Sequence, residues 1–492
     1  MARTRSRNRI KVDWVVVLTY AVLVFWGWIS IYAAVFNEEA GNIVNLTQEY
    51  GKQGMFMATS LVIIAAILVS NYRLWTNFAP LWYALTILLL IGVLFAGKKI
   101  GGARSWYGIG GFSLQPSELA KFSTALMMGF YLALPRTNIK RWPNRLVAAS
   151  IFILPALLIG LQPDVGSSLV FISLILVLYR EGMPGYYIGI ALAGVALSIV
   201  GLMFPLRWTL LTLAGLSALT LLLLPKKRLY FLLNGLAFAF ASATVFAVGQ
   251  VMENVLAPHQ QVRIRVLLGL ENDPSGAGYN TLQSLIAIGS GGWTGKGFLG
   301  GTQTKLNFVP AQSTDYIFCT IGEEWGFLGT TLLMGLFALL IGRIIWLADK
   351  QKDTFSRVYG YAVAVILFTH WIINIGMTIG LVPTIGIPLP FFSYGGSSLW
   401  GFTILLFIFV KLDAERWNRL SYSKIFPLTR LEHQVAFIIN LRFVLQRFVR
   451  LNIYERAQTT LSILSHVRVV NDWSWLNSRR RSYEHTIITC EG

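Results

Sequence analysis

Long apolar runs recur along most of the chain, and nearly all are long enough to cross a bilayer as a helix. About 20 apolar residues span the hydrocarbon core, and only helices or closed barrels satisfy their backbone groups there. Only 13% of the 492 residues are charged, which excludes an ordinary soluble domain of this size. The sequence therefore predicts an all-α polytopic membrane protein with about twelve transmembrane helices, at residues 14–36, 53–70, 78–97, 116–135, 146–162, 167–180, 186–204, 208–224, 229–256, 317–347, 359–381 and 398–412.

The basic residues predict the orientation of these helices, because cytoplasmic loops carry an excess of Lys and Arg. The basic N-terminus, residues 1–12, is predicted to be cytoplasmic and to precede an uncleaved first helix. The basic connections then fall on the same side, at 71–73, 136–145, 179–182, 225–228, 349–357 and 411–419. The connections at 37–52, 98–115, 257–316 and 382–397 are predicted to face outside.

Residues 413–492 form a basic tail, which is also predicted to be cytoplasmic. From Lys411 onward there are thirteen Lys or Arg residues and seven Asp or Glu residues. An apolar stretch at 435–454 with three interspersed arginines favours an interfacial helix on anionic lipid headgroups, and a partner-docking segment is the alternative. The formal charge of +19 is thus explained by membrane edges, and we predict no nucleic-acid binding.

The connection 257–316 is much longer than a simple link requires. It contains basic Arg263 and Lys296, a glycine-dense stretch at 289–303, and Asp315 just before an apolar helix. Glycines let backbone amides approach an anion, and Lys or Arg supplies complementary charge. These features predict an outward-facing anion-binding loop; a flexible loop with scattered charges is the alternative. For Asp315 itself, capping the helix that follows is an equally good interpretation.

Other charged residues lie within the apolar segments, where an isolated charge is costly. Glu323 and Glu324 must pair or line a wet cavity, and Gln115 and Ser393 are polar candidates for the same lining. Near the start of another helix, Glu118 and Lys121 share a face and could bind a phosphate or merely neutralise each other.

Two further residues, Arg104 and Trp106, could hold an anion and a sugar face. The segment 380–400 is too rich in Pro and Gly for a regular helix, so it should lie where protein or water surrounds it. Three outward-facing segments are therefore predicted to converge on one polar cleft.

Five motifs together resemble the SEDS family (shape, elongation, division and sporulation) of membrane glycosyltransferases. They are "FSLQPSELAK" (112–121), "LQPDVGSSLV" (161–170), "DPSGAGYNTLQSLIAIGSGGWTGKGF" (273–298), "STDYIFCTIGEEWG" (313–326) and "PTIGIPLPFFSYGGSSL" (383–399). The last motif is similar to the elongation branch rather than to the division branch. The resemblance covers residues 13–412. It implies a core of ten helices, so a hairpin near 186–256 would be an insertion.

The resemblance implies an enzyme that polymerises lipid II into glycan strands in the bacterial cytoplasmic membrane, with its site facing the periplasm. The essential family aspartate falls on Asp315, in a motif where Ser313 and Tyr316 replace the usual His and Phe. Asp315 would be the general base, and pyrophosphate would be bound by Lys121, Arg263, Arg104 or Lys296. Mg²⁺ or Mn²⁺ could accompany the pyrophosphate, although no cluster with metal-ligand spacing is visible in the sequence.

The implied partners are a class B penicillin-binding protein, which would supply the transpeptidase, and the elongation machinery. Two other functions remain open. A lipid flippase fits broken helices and intramembrane charges, and a non-catalytic scaffold for cell-wall synthesis would need no base at Asp315.

Overall fold

The computed structural model describes residues 12–36, 45–100, 103–109, 112–254, 256, 258–271, 278–306 and 308–416. The N-terminus 1–11 and most of the tail, including the predicted interfacial stretch 435–454, lie outside the described residues. The elements in chain order are α1 Trp14–Val35, α2 Glu49–Val69, α3 Tyr72–Asn77, α4 Ala79–Ala96, β1 Lys98–Ile100, β2 Ala103–Ile109, β3 Phe112–Leu114, α5 Pro116–Leu132, α6 Trp142–Gly160, α7 Val165–Ile172, α8 Ile175–Arg180, α9 Tyr186–Met203, α10 Leu206–Leu223, α11 Arg228–Asn254, α12 Pro258–Leu267, α13 Tyr279–Ser290, α14 Thr302–Lys305, α15 Ile317–Asp349, α16 Thr354–Thr378 and α17 Gly396–Ala414.

Within the described part of the chain, ten helices are long and apolar enough to cross a membrane: α1, α2, α4, α6, α9, α10, α11, α15, α16 and α17. The predicted helical membrane fold is confirmed, and each predicted apolar run coincides with helix. The other two runs differ in detail. The run at 116–135 is the 17-residue α5, and the run at 167–180 is not one helix but two short ones, α7 and α8.

Ser173, at the break between α7 and α8, takes part in two side-chain hydrogen bonds. The hydroxyl of Ser173 donates to the carbonyl of Val170 at 2.7 Å and accepts from Thr369 Oγ1 at 2.9 Å. Side-chain bonds of this kind compete with the regular helical ladder. The apolar pattern carries no sign of this contact, because Thr369 is brought in by tertiary packing.

Burial differs sharply between the helices. Most residues of α16 and α17 are buried, and α5 is buried along most of its length. By contrast, α9 has no buried residue and α10 has one. The side chains of α9 to α11 are nevertheless mostly apolar around the whole helix. A helix that is apolar all round and not covered by protein is suited to lipid. The segment 186–256, where we predict an inserted hairpin, thus forms three peripheral helices.

Ion pairs join helix ends that the sequence assigns to the cytoplasmic side. Arg343 at the end of α15 contacts Asp13 before α1 at 2.7 Å, and Arg357 of α16 contacts Glu181 after α8 at 2.9 Å. Arg180 pairs with Asp349 at 2.8 Å. These ends therefore meet at one end of the bundle, as the predicted topology requires.

The opposite end differs from the sequence prediction in two places. Residues 98–114 were expected to be a loop and instead form a three-stranded antiparallel sheet, with Lys98 opposite Trp106 and Tyr107 opposite Leu114. The long connection 257–316 is also structured, since it contains α12, α13 and α14. Both regions lie in the stretches that the topology places outside.

Candidate active site

A cleft of about 1090 Å³ opens among the connections at this second end of the bundle. Its lining draws on all three motif-bearing segments that the sequence predicts to converge, and also on α2, α7 and α12. Of the predicted site residues, the cleft is lined by Asp315, Arg263, Glu118, Gln115 and Trp106. Apolar residues such as Met55, Leu169 and Ile264 share the lining, so the cleft suits a ligand with both polar and apolar parts.

A strained turn holds Asp315 at the cleft. Ala311 adopts φ 57°, an uncommon conformation for a residue other than glycine, and its carbonyl accepts from Thr314 N at 3.1 Å and Tyr316 N at 3.2 Å. The helix that follows begins at Ile317 with Tyr316 as N-cap, and no side chain caps it. The capping interpretation of Asp315 is therefore wrong, and its carboxylate is left for another role.

Three contacts fix this turn to its surroundings. Asn374 of α16 donates to the carbonyl of Asp315 at 2.8 Å and to that of Ile387 at 2.7 Å. The Tyr316 hydroxyl bonds to Thr384 Oγ1 at 2.7 Å, and Tyr394 N donates to the carbonyl of Ser313 at 2.9 Å. The segment 380–400 was predicted to be irregular. This is confirmed for 380–395, which serve as the opposite wall of the turn, but residues 396–400 belong to the helix α17.

The carboxylate of Asp315 is partly exposed to the cleft and has no hydrogen-bond or ion-pair partner among the described residues. Burial raises the pKa of this carboxyl from 3.8 to about 6, the carboxylate of Asp164 acts in the same direction, and the guanidinium of Arg263 opposes both. Arg263 is held in place because its Nη1 donates to the carbonyl of Thr384 at 3.0 Å. A base whose pKa lies near the working pH is suited to proton transfer.

Asp164 is a cleft residue that the sequence analysis did not single out. Its Oδ1 accepts from Ser167 N at 3.0 Å and caps α7, while its Oδ2 accepts from Gln115 Nε2 at 3.0 Å. The signal available was the Pro-Asp pair before an apolar run, which indicates only a helix cap. Its proximity to Asp315 arises from tertiary packing.

The pair formed by Glu118 and Lys121 behaves as the neutralising alternative predicts. Lys121 Nζ lies 2.7 Å from Glu118 Oε1 and 4.4 Å from the centre of the Phe402 ring. Glu118 lines the cleft but Lys121 does not, and Lys121 is 1% exposed. Because its ammonium is enclosed by these partners, Lys121 does not present its charge to a cleft ligand.

Glu323 and Glu324 were predicted either to pair or to line a wet cavity; neither lines this cleft, and Glu323 is paired with Lys296. The Glu323 carboxylate is 0% exposed and accepts from the amides of Thr302, Gln303 and Thr304 at 2.8–3.0 Å and from Lys296 Nζ at 2.7 Å. Lys296 therefore forms an ion pair with Glu323 and does not line the cleft.

The glycine-dense stretch makes these contacts possible. Lys296 N and Gly297 N donate to the carbonyls of Glu323 and Glu324 at 3.0 Å, where α15 is interrupted by Gly326 at φ 62°. A Cβ on Gly295 would lie 2.1 Å from the carbonyl oxygen of Glu324, so only glycine allows this approach. The stretch thus binds a carboxylate of its own chain instead of a ligand.

Two further predicted residues lie outside the cleft lining. Ser393 is buried, and its Oγ accepts a hydrogen bond from Leu389 N at 2.9 Å within a tight turn. Arg104 is exposed on β2 and donates to the carbonyl of Leu94 at 3.3 Å. Among the described residues, no group of three or more His, Cys, Asp or Glu side chains could hold a metal ion.

Comparisons with known proteins agree with this architecture. The family model described as "Cell cycle protein", which covers FtsW, RodA and SpoVE, matches residues 13–214 and 208–418. "Peptidoglycan glycosyltransferase RodA" of Treponema pallidum (strain Nichols) is 31% identical over 84% of this chain and 100% of its own length.

Two further matches point the same way. "Peptidoglycan glycosyltransferase MrdB" of Escherichia coli (strain K12) is 33% identical over 78% of this chain and 86% of that protein. A solved chain from a peptidoglycan synthase complex that coordinates polymerization and crosslinking is 26% identical, with a TM-score of 0.60 over 83% of this chain and 99% of that one. The chain belongs to the SEDS family, the family of FtsW, RodA and SpoVE.

Proposed function

We propose that this protein is a peptidoglycan glycosyltransferase that polymerises lipid II into glycan strands for cell elongation and releases undecaprenyl pyrophosphate. One observation carries the proposal: Asp315 is an unpaired, partly exposed carboxylate with a raised pKa in a large cleft that also contains Arg263. The activity named for the relatives from Treponema pallidum and Escherichia coli supports the same assignment.

In this mechanism Asp315 is the general base. It takes the proton from the 4-hydroxyl of the acceptor GlcNAc as that oxygen bonds to the anomeric carbon of the donor MurNAc. The bond between this carbon and the pyrophosphate oxygen breaks, and the electron pair leaves with undecaprenyl pyrophosphate. A positioned base contributes typically about 100- to 10,000-fold to such a transfer.

The leaving pyrophosphate gains negative charge in the transition state and needs positive charge nearby. Arg263 is the best placed of the predicted cations, because it lines the cleft and its charge reaches Asp315. Lys121 and Lys296 each form an ion pair with a glutamate, so Arg263 is assigned the role of binding the leaving pyrophosphate, which was first given to Lys121. A divalent cation remains a prediction; it would accompany the pyrophosphate and help to neutralise its charge.

The location follows from the same arguments. The ends of the bundle that carry basic connections are proposed to be cytoplasmic, together with both termini, and the cleft is proposed to face the periplasm of a bacterial cytoplasmic membrane. A polyprenyl-linked substrate would reach the cleft from the bilayer, which explains its mixed polar and apolar lining.

The proposed partner is a class B penicillin-binding protein that crosslinks the new strands within the elongation machinery. The solved structure of a synthase complex with both activities supports this pairing. Isolation of the tagged chain from bacterial membranes in mild detergent should recover a transpeptidase. Repeated absence of one under these conditions would contradict the pairing.

The test of the activity is incubation of the purified protein with labelled lipid II, for the wild type and for Asp315→Asn. We expect glycan strands from the wild type and a loss of at least 100-fold in the variant, since the amide cannot accept the proton. An unchanged size-exclusion profile in detergent and retained partner binding would show that the variant is intact. Extension at the wild-type rate by Asp315→Asn would overturn the proposal and favour the flippase or the scaffold.

A further inference from the structure

The first turn of α17 lies in the cleft with its amides unsatisfied. Gly395 is the N-cap at φ 156°, and no side chain caps the helix. Gly396, Ser397 and Ser398 line the cleft, and their amide groups have no hydrogen-bond partner among the described residues. Unsatisfied amides and the helix dipole together attract anions.

The side chain of Ser397 points to a ligand at this turn. Ser397 is only 5% exposed, yet it lines the cleft and its hydroxyl has no partner in the described part of the chain. Because Ser397 lines the cleft, its hydroxyl is free to donate to and accept from a ligand there. An oxygen-rich ligand in the cleft would satisfy it together with the neighbouring amides.

Lys52 on α2 brings an unpaired positive charge to the same cleft. No ion pair joins it to Glu49, one turn earlier in α2, or to any other acid in the described ranges. The two helices are held together beside it, because Gly395 N donates to Gln53 Oε1 at 3.2 Å. A Cβ on Gly396 would lie 2.7 Å from the ring of Phe56, so this glycine permits the close approach of α17 to α2.

Other helices that start at the cleft already carry an acid. The first turn of α5 contains Glu118, and α7 is capped by Asp164. The first turn of α17 has no acidic residue, and Lys52 lines the same cleft. Of these three helix starts, α17 is the one arranged for an anion that the chain itself does not supply.

We propose that Lys52, Ser397 and the first-turn amides of α17 form a phosphate-binding subsite that holds the pyrophosphate of the acceptor lipid. The assignment rests on the proposed function and uses its chemistry. The donor pyrophosphate is bonded to the reacting carbon, so it must lie beside Asp315 and Arg263. The acceptor pyrophosphate lies one disaccharide away from the attacking hydroxyl, so it needs a second anion site farther along the cleft.

The two anion sites lie in one cleft. The bond between Tyr394 N and the carbonyl of Ser313, at 2.9 Å, joins the turn that carries Asp315 to the residues just before α17. Asp315, Arg263, Lys52 and Ser397 all line this cleft, so both sites are open to one acceptor molecule. Met55 and Trp400 line the cleft near the second site and would contact an apolar part of the acceptor.

Binding of labelled lipid II to purified protein tests the subsite, with Asp315→Asn as background so that no turnover occurs. Adding Lys52→Gln should weaken binding about tenfold, which corresponds to about 1.4 kcal/mol. Ser397→Ala should weaken it about threefold, while Lys52→Arg should retain it within about twofold. The matched control is Lys99→Gln, which removes an exposed lysine that does not line the cleft and should leave binding unchanged.

Steady-state kinetics in the otherwise wild-type chain test which pyrophosphate is bound. We expect Lys52→Gln to raise KM about tenfold with a much smaller change in kcat, because the acceptor pyrophosphate does not change charge in the reaction. Arg263→Gln should mainly lower kcat. A loss confined to kcat in Lys52→Gln would overturn the acceptor assignment.

The binding result separates this subsite from the proposed function. Normal binding by both Lys52→Gln and Ser397→Ala would overturn the subsite, even if the wild type polymerises lipid II. Weakened binding in these variants together with no polymerisation by the wild type would support the subsite and overturn the activity. Size-exclusion profiles in detergent identify any misfolded variant. If Lys52→Gln is misfolded, the lipid II affinity of Ser397→Ala tests the subsite instead.

Discussion

Asp315 and Glu323 lie close together in one motif, but the structure gives their carboxylates opposite environments. Asp315 is partly exposed in the cleft and has no partner among the described residues. Glu323 is 0% exposed and is bound by three amides and by Lys296. A carboxylate with several hydrogen-bond and ion-pair partners stabilises the fold, whereas one without partners stays available for chemistry.

The largest expected effect is a fall in the rate of polymerisation when the side chain at position 315 is lengthened by one methylene group. Asp315→Glu keeps the charge but displaces the oxygens by about 1 Å or more, which can cost about 100-fold in rate. We expect kcat for lipid II polymerisation to fall by this factor without loss of thermal stability. A rate within threefold of the wild type would mean that the carboxylate does not act at a defined position.

Substitution of Glu323, the fully bound carboxylate, should instead lower the free energy of unfolding. Glu323→Gln removes the ion pair with Lys296 and leaves the amides of α14 with a weaker acceptor, which should cost about 2–4 kcal/mol. Thermal unfolding in detergent measures the loss, and the activity per folded molecule should stay within a few-fold of the wild type.

Glu324→Gln is the matched control for this substitution. The Glu324 carboxylate accepts a bond only from Leu299 N, at 3.1 Å, and its other oxygen has no partner in the described residues. Its replacement should cost less than about 1 kcal/mol. Equal losses in the two variants would remove the distinction between a bound and a weakly bound carboxylate.

The pH dependence of the rate should follow the Asp315 carboxyl. The base must be ionised, so kcat/KM, which reports the groups of the free enzyme, should fall about tenfold per pH unit below the pKa of about 6. Arg263 lowers this pKa, so Arg263→Gln should move the acid limb to higher pH. A pH–rate profile that is flat between pH 5 and 7 would contradict the assignment of Asp315 as the base.

The smallest effect is on the stability of the wild type itself. The folded Asp315 carboxyl keeps its proton up to about pH 6, and the unfolded one loses it near 3.8, so the folded state binds more protons between these values. Stability therefore falls as the pH rises through this window. Asp315→Asn should melt at least about 1 °C above the wild type at pH 8 and should lose this advantage near pH 4. An unchanged difference at both pH values would contradict the raised pKa.

Periodic and local patterns predicted most of the architecture. Apolar runs identified the helices, and the basic connections predicted which helix ends meet, as the ion pairs of Asp13 and Glu181 show. The motif containing Asp315 was also found from local sequence and family resemblance. The sheet was missed because two of its three strands have only three residues and the charged residues Lys98, Lys99 and Arg104 lie within the strands, so no regular apolar alternation marks them.

The residues whose roles were predicted wrongly from the sequence are those that contact residues far away in the chain. Lys121 and Lys296 are positively charged and near the motifs, but each is paired with a carboxylate. Lys52 was not singled out, since nothing around it in the sequence indicates that α17 begins beside it. A charged side chain alone does not reveal whether its charge is already neutralised.

The repeated membrane-spanning helices and the motif around Asp315 could be predicted from the amino-acid sequence, because hydropathy and local motifs depend on neighbouring residues. Which charges remain available in the cleft depends on the fold. Neutralisation of Lys121, enclosure of Glu323 and exposure of Asp315 each depend on atoms from separate segments, and short-range electrostatics and hydrogen bonding act only once folding has brought those atoms within a few ångströms.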